Sequence, residues 1–223
     1  MSGIVVIGAG QAACALVAKL RALGHDSPLT LLGAEPHPPY QRPPLSKAYL
    51  LGDMPRERLF LRADSFYQER NITLRTGTAV TAIDPAARTL ALGTETLAYD
   101  QLALTTGSLP RTLPASIGGT LDGLYTVRTL ADIDALEPEV RKGRRVLIIG
   151  GGYIGLEAAA VAAKQGLEVT LVELADRILQ RVAAPETSGY FRALHQSHGV
   201  RILEGIGLTR LTGDTRVTGA ELS

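Results

Sequence analysis

The sequence predicts an α/β fold of two similar units, each built on a parallel sheet and accompanied by short antiparallel meanders. Three observations carry this. A β-branched apolar run at the start of the chain leads straight into a glycine turn and then a segment with apolar residues at helical spacing. The same succession returns from Arg145 onward. Between the two lie short alternating or apolar runs punctuated by Gly, Pro and Thr, the pattern of brief strands.

Gly3 to Ile7 reads as a buried parallel strand, since an apolar run without alternation suits a sheet covered on both faces. Gly8, Ala9 and Gly10 follow, then a helix from Ala13 to Leu23 closed by Gly24, and a second strand from Leu29 to Leu32. Pro36 to Pro44 contains five prolines, which forbid helix and strand alike and predict a stiff, extended loop. Ile72 to Leu74, Ala79 to Ile83, Arg88 to Leu92 and Leu102 to Thr105 are expected strands. The Pro-, Gly- and Thr-rich stretch Leu109 to Gly123 marks a change of unit, giving residues 1–113 and 114–223 as the two domains. A helix is expected from Thr129 to Arg141, entered at Thr129 and Asp132. The strand Arg145 to Ile149, the loop Gly150 to Gly155, an Ala-rich helix to Gln165 closed by Gly166, and the strand Glu168 to Glu173 complete the second unit.

Composition narrows the function classes. With 23 basic and 22 acidic residues the formal net charge is +1, which offers no electrostatic footprint for nucleic acid or a membrane surface. No apolar run approaches the roughly 20 residues that span a bilayer, and the N-terminus enters a strand without a signal-peptide pattern, so a cytoplasmic protein is expected. The single cysteine, Cys14, excludes an internal disulfide or a dithiol redox centre within this chain. His195 and His198 stand three apart on an expected helix, a spacing that suits a metal. With no acidic or thiol partner at ligand spacing they read as a solvated helix end, and no metal is expected.

The chemistry sits in the two glycine loops. A lone G-x-G-x-x-G is weak, but each loop here follows an apolar strand and opens a helix, the context that dinucleotide binding requires. The first glycine allows the tight turn, the second lets the backbone approach a pyrophosphate, and the third must be small for helix and strand to pack. Free N–H groups and the positive end of the helix dipole then face the phosphates. Gly8, Gly10 and Ala13 form the first set; Gly150, Gly152 and Gly155 form the second. Two Rossmann-like dinucleotide-binding units follow; the alternative is that either loop is only a compact turn. Glu173 closes its strand about 20 residues beyond the second loop, where a carboxylate accepts from ribose hydroxyls and repels a 2′-phosphate, so NADH is preferred over NADPH. In the first unit the equivalent position is Gly33 and the acid comes two residues later as Glu35, reachable by a ribose through a small bulge.

Tyr40 to Lys47, with the core Arg42-Pro43-Pro44-Leu45-Ser46-Lys47, resembles the segment after the FAD-binding unit in the NADH-dependent ferredoxin reductases. These belong to the flavin-dependent pyridine-nucleotide–disulfide oxidoreductase superfamily. Thr105 to Arg111 is similar to the family's Ala-Thr-Gly segment, with Thr105 in place of the usual alanine, and Gly150 to Glu157 and Leu171 to Arg177 resemble its NAD-binding half. The resemblance implies FAD in residues 1–113, with Gly8, Gly10 and Ala13 on the pyrophosphate, Glu35 near the adenosine ribose, Arg42 near phosphate or ribose, and Val80 meeting the adenine. Thr106, Gly107 and Arg111 join the FAD set. NADH would lie in residues 114–223 along Gly150, Gly152, Tyr153, Ile154, Gly155 and Glu173. Lys47 would sit beside the flavin ring, and Glu157 where nicotinamide and flavin stack, paired with Lys47. Bland readings stand beside these: Lys47 and Arg42 as solvated loop charges, Val80 as strand core, Glu157 as an acid favoured by the helix dipole.

Members of the superfamily that reduce disulfides carry a cysteine pair beside the flavin; here that region offers proline and Lys47. The implied activity is therefore electron transfer from NADH through FAD to an external iron–sulfur protein, a ferredoxin or rubredoxin, that serves an oxygenase. Family members are substantially longer and return to the FAD fold after the NAD unit. The sequence is thus expected to be incomplete relative to the family, with a second flavin motif and a C-terminal domain lacking. A flavin-dependent NADH oxidase of apoptosis-inducing-factor type and a non-catalytic nucleotide-binding fragment are the alternatives.

Overall fold

The computed structural model describes residues 3–223, which pack as two compact units. The first comprises residues 3–42 and 55–108. Its main sheet is parallel throughout, in the order β3-β2-β1-β7, with β1 (Ile4–Ile7), β2 (Leu29–Leu32), β3 (Ile72–Arg75) and β7 (Gln101–Leu104). Helix α1 (Gln11–Ala22) makes the crossover from β1 to β2 and buries Ala13, Cys14 and Val17. Ala13 and Val17 meet Ile4, Val6, Leu29 and Leu31 on one face of the sheet, together with Tyr67 from the short helix α2 (Asp64–Glu69). The buried Tyr67 hydroxyl is directed at Cys14 Sγ, 3.9 Å away; burial first, and then the neighbouring thiol, push the phenol up from its ordinary value.

An antiparallel meander of β4 (Ala82–Asp84), β5 (Thr89–Leu92) and β6 (Glu95–Ala98) covers the opposite face, where Leu90 and Tyr99 pack on Val5, Ile7 and Leu32. The sheet is thus buried on both sides, which is why β1 reads as an unbroken apolar run and β2 as one interrupted only by Thr30. The strand expected at Ala79 to Ile83 is displaced to Ala82–Asp84. Val80 precedes it and packs, partly buried, against the same cluster. The proline-rich loop holds one strand-like contact, an antiparallel bridge between Tyr40 and Phe60.

The second unit comprises residues 43–54 and 109–223. Its sheet runs β10-β9-β8, again parallel, from β8 (Arg145–Ile149), β9 (Glu168–Glu173) and β10 (Arg201–Glu204). Helix α3 (Leu130–Leu136) begins at a capping box: Thr129 accepts from the Asp132 amide, and Asp132 accepts from the Thr129 amide. It stops short of the expected Arg141 because Pro138 has no N–H to continue the ladder, and Glu137–Glu139 tightens into a 3₁₀ turn. Helix α4 (Tyr153–Lys164) buries Leu156, Ala159, Val161 and Ala162; Leu156, Ala159 and Ala162 join β9 residues Val169 and Leu171 in one apolar cluster. Helix α5 (Pro185–Ser197) and the hairpin β11 (Leu208–Thr212) and β12 (Gly219–Leu222) follow.

His195 corrects the expectation of a solvated helix end. Its ring is buried, with Nδ1 2.8 Å from the Phe191 carbonyl oxygen and Nε2 3.1 Å from that of Leu156, tying α5 to α4. His198, one turn of chain later, is exposed. Phe191 packs on the apolar cluster and carries His195, four residues on, to the inner face; the polar neighbours in sequence conceal this. Among the described residues no helix is long and apolar enough to cross a membrane, and no group of three or more His, Cys, Asp or Glu is placed to hold a metal.

Candidate functional site

The two glycine loops are the same structure built twice. Ile7 pairs with Leu32 and Ile149 with Val172, and the next amide in each unit closes the turn: Gly8 N–H donates to Leu32 O and Gly150 N–H to Val172 O, both at 2.8 Å. The register therefore makes Gly33 the counterpart of Glu173. Gly8 has φ +100°, and a Cβ on it would lie 2.4 Å from the Thr105 carbonyl oxygen and 2.8 Å from Thr106 Cα, so both conformation and space demand glycine. At the third positions Ala13 is fully buried, and a Cβ on Gly155 would meet the Gly150 carbonyl oxygen at 2.0 Å.

The middle glycines differ in kind. A Cβ on Gly10 or Gly152 would meet nothing within 4 Å, so what the missing side chain preserves is open space over the loop. Gly10 and Gly152 are the N-cap positions of α1 and α4, and neither helix has a side-chain cap or an acid in its first turn. By contrast α3 has a capping box, and α2 and α5, which also lack a side-chain cap, carry an acid in the first turn, Asp64 and Glu186. Uncapped amides beneath an open cradle are the donor set a pyrophosphate needs, and the residues present fit a dinucleotide in each unit.

Glu173 is held from both sides. Its Oε2 accepts from the Gly151 amide at 2.7 Å and its Oε1 from the Ala175 amide at 2.8 Å, which fixes the carboxylate at the end of β9 beside the loop. In the first unit a Cβ at Gly33 would lie 2.6 Å from Ala9 Cβ, which excludes an acid there. Glu35 instead forms a cluster with the proline-rich loop. Arg42 Nη2 reaches Glu35 Oε1 at 2.6 Å and Tyr40 OH donates to Oε2 at 2.5 Å, while the guanidinium carbon lies 4.9 Å from the Tyr40 ring centroid. Arg42 is thus half-buried and anchored rather than a free loop charge.

Lys47 Nζ lies 2.8 Å from Glu157 Oε1, an ion pair whose side chains are 48% and 34% exposed. Lys47 belongs to a π-helical turn, Leu45–Tyr49, where the Pro44 carbonyl oxygen accepts from the amides of both Lys47 and Tyr49. Glu157 stands one turn into α4, beyond the Gly152 cradle. Ser46 Oγ donates to the other carboxylate oxygen, Oε2, at 3.0 Å, and Tyr49 OH to Asp134 at 2.7 Å. Ser46 and Tyr40 lie inside the Tyr40 to Lys47 segment, but the sequence assigns neither a role; the structure places each on the carboxylate of an acid that the sequence does single out. Tyr153 and Ile154 open α4 with exposed side chains, and Thr106, Gly107 and Arg111 form an exposed, irregular run after β7, Gly107 at φ +70°.

The family model for pyridine nucleotide-disulphide oxidoreductases matches residues 2–223. The ferredoxin reductase subunit of 5,5′-dehydrodivanillate O-demethylase from Sphingobium sp. is 41% identical over 98% of this chain and 54% of its own. Putidaredoxin reductase of Pseudomonas putida is 40% identical over 99% and 51%. Among solved structures, the covalent putidaredoxin reductase–putidaredoxin complex superposes with a TM-score of 0.93 at 38% identity, covering all of this chain and 55% of that one. The chain spans about half the length of the curated relatives it matches.

Proposed function

Because the chain belongs to the pyridine nucleotide-disulphide oxidoreductase family, we propose that it is the nucleotide-binding part of a flavoprotein passing electrons from NADH through FAD to an iron–sulfur protein of ferredoxin or rubredoxin type. Residues 1–113 are assigned to FAD and 114–223 to NADH, with a cytoplasmic location. The observation that carries the reading is the Lys47–Glu157 pair, 2.8 Å apart, in a chain with two uncapped glycine cradles and no second cysteine. The names of the similar proteins, reductases of ferredoxin and putidaredoxin, support the same reading.

FAD, when bound, supplies the chemistry: it takes a hydride from the nicotinamide and gives up electrons one at a time. The chain's residues bind and orient. The uncapped amides at the starts of α1 and α4, from Gly10 and Gly152 onward, neutralise pyrophosphate charge, and Glu173 accepts from ribose hydroxyls while repelling a 2′-phosphate. Glu35 and Arg42, with Val80, Thr106, Gly107 and Arg111, are assigned to the FAD side; Tyr153 and Ile154 are assigned to the nicotinamide side. Lys47 brings a positive charge to where negative charge develops on flavin reduction, and Glu157 holds that ammonium in place.

The test is rapid-mixing reduction of the flavin by NADH in the complete protein carrying Lys47→Ala. A slower reduction with FAD still bound is expected; an unchanged rate removes Lys47 from the mechanism.

A further inference from the structure

Two neighbouring residues, Ser46 and Lys47, grip the two oxygens of one carboxylate: Ser46 Oγ donates to Glu157 Oε2 at 3.0 Å and Lys47 Nζ meets Oε1 at 2.8 Å. Consecutive residues of a regular helix diverge by about 100° around the axis, so they do not normally meet one group. Here they converge because Lys47 itself leaves helical geometry, at φ −130° and ψ −110°, between the two flanking turns. The three groups differ in freedom. Lys47 is half-exposed on a flexible four-carbon stem, and a carboxylate's terminal torsion is broad and two-fold. Ser46 is 5% exposed, and its short side chain has one rotatable bond.

We propose that Ser46 is a positioning residue: its buried hydroxyl fixes the orientation of Glu157 so that the free oxygen presents a stationary acceptor to Lys47. The inference rests on the reading that Lys47 and Glu157 serve hydride transfer from nicotinamide to flavin. Without the hydroxyl the carboxylate rotates and the ammonium samples solvent-facing rotamers, so charge at the flavin is lost without loss of nucleotide binding. Ser46 itself need touch neither substrate nor cofactor.

Two measurements test it. In the complete holoprotein, Ser46→Ala slows single-turnover flavin reduction by NADH on the order of threefold to tenfold, as expected for one hydrogen bond to a charged, partly exposed group. The concentration of NADH at half-maximal rate stays unchanged, and Ser46→Thr, which keeps the hydroxyl, retains the rate. Independently of turnover, a thermal double-mutant cycle between Lys47→Met and Glu157→Gln shows a coupling in the wild-type background that shrinks in the Ser46→Ala background. A wild-type reduction rate in Ser46→Ala, or an undiminished coupling, overturns the proposal. If Lys47→Ala itself leaves reduction unchanged, the underlying functional reading fails; if Lys47→Ala slows it and Ser46→Ala does not, only the positioning role fails.

Discussion

Replacing Gly152 by alanine should separate binding from folding. Gly152 has φ −80° and ψ −179°, extended backbone that alanine adopts freely, and its Cβ would meet nothing within 4 Å. Two small effects on stability oppose each other. Alanine loses less chain entropy on folding, worth about 0.4–1 kcal/mol, while it is a poorer N-cap than glycine by a similar amount. The net change is within about 0.5 kcal/mol, or roughly 2 °C in Tm for a domain of this size. Binding behaves differently. An oxygen at about 2.9 Å from a loop amide cannot coexist with a methyl group standing over that amide. Loss of one charge-assisted hydrogen bond costs about 1.5–3 kcal/mol, so NADH affinity falls roughly tenfold to a hundredfold. Gly155→Ala is the contrast, because its Cβ would lie 2.0 Å from the Gly150 carbonyl oxygen, a backbone atom that cannot swing aside. It should lose both binding and about 1–3 kcal/mol of stability through overpacking. Differential scanning calorimetry and NADH titration of the two variants decide the matter. A Gly152→Ala protein that binds NADH as tightly as the wild type would falsify the assignment of the open cradle to the pyrophosphate.

Two further outcomes are expected. Glu173→Gln keeps a carbonyl acceptor for only one of the two neighbouring amides and removes the charge facing a 2′-phosphate, so the preference for NADH over NADPH narrows on the order of tenfold whatever the common loss of affinity; comparing dissociation constants for the two nucleotides checks this, and an unchanged ratio refutes it. In the first unit, Arg75 joins β3 to Glu95 on β6 by two hydrogen bonds of 2.7 and 2.6 Å, and these, with its charge, hold the Glu95 carboxyl below its ordinary 4.5. A lowered folded value means that stabilisation is present above the unfolded carboxyl value and is lost as pH falls through the folded one. Wild type and Glu95→Gln should therefore differ in Tm near neutrality and converge in acid; a difference that persists at the lowest pH excludes the ion pair as its source.

Much of the fold was legible because the signals were local. β2 and β9 fall on their expected residues, and the Thr129–Asp132 box announced α3, since an apolar run or a cap is decided by neighbours in sequence. Of the elements not anticipated, which also include β10, β11 and β12, α2 and β6 are short and mostly exposed, so their patterns carry little periodicity. His195 was misjudged because burial there depends on α4, 39 residues away, which no window along α5 contains. The candidate site divides in the same way. The glycine loops and Glu173 follow from spacing and the Lys47–Glu157 pair from the family resemblance, whereas the bond from Ser46 to Glu157 joins segments over a hundred residues apart and needs the turn at Lys47.

Ala9 opposite Gly33 in one unit, and Gly151 opposite Glu173 in the other, impose an order on sequence change. Acquiring an acid at 33 while Ala9 is present drives one Cβ into another, and acquiring a side chain at 151 drives it into Ile178 and the Glu173 Cβ. Neither unit can adopt the other's arrangement in one step: position 9 must lose its methyl before position 33 can gain a carboxylate. If the two units descend from one ancestral duplication, this pair is a ratchet between them. Single-substitution libraries at 33 or 151 would record intolerance, while the double variant Ala9→Gly with Gly33→Glu would pass.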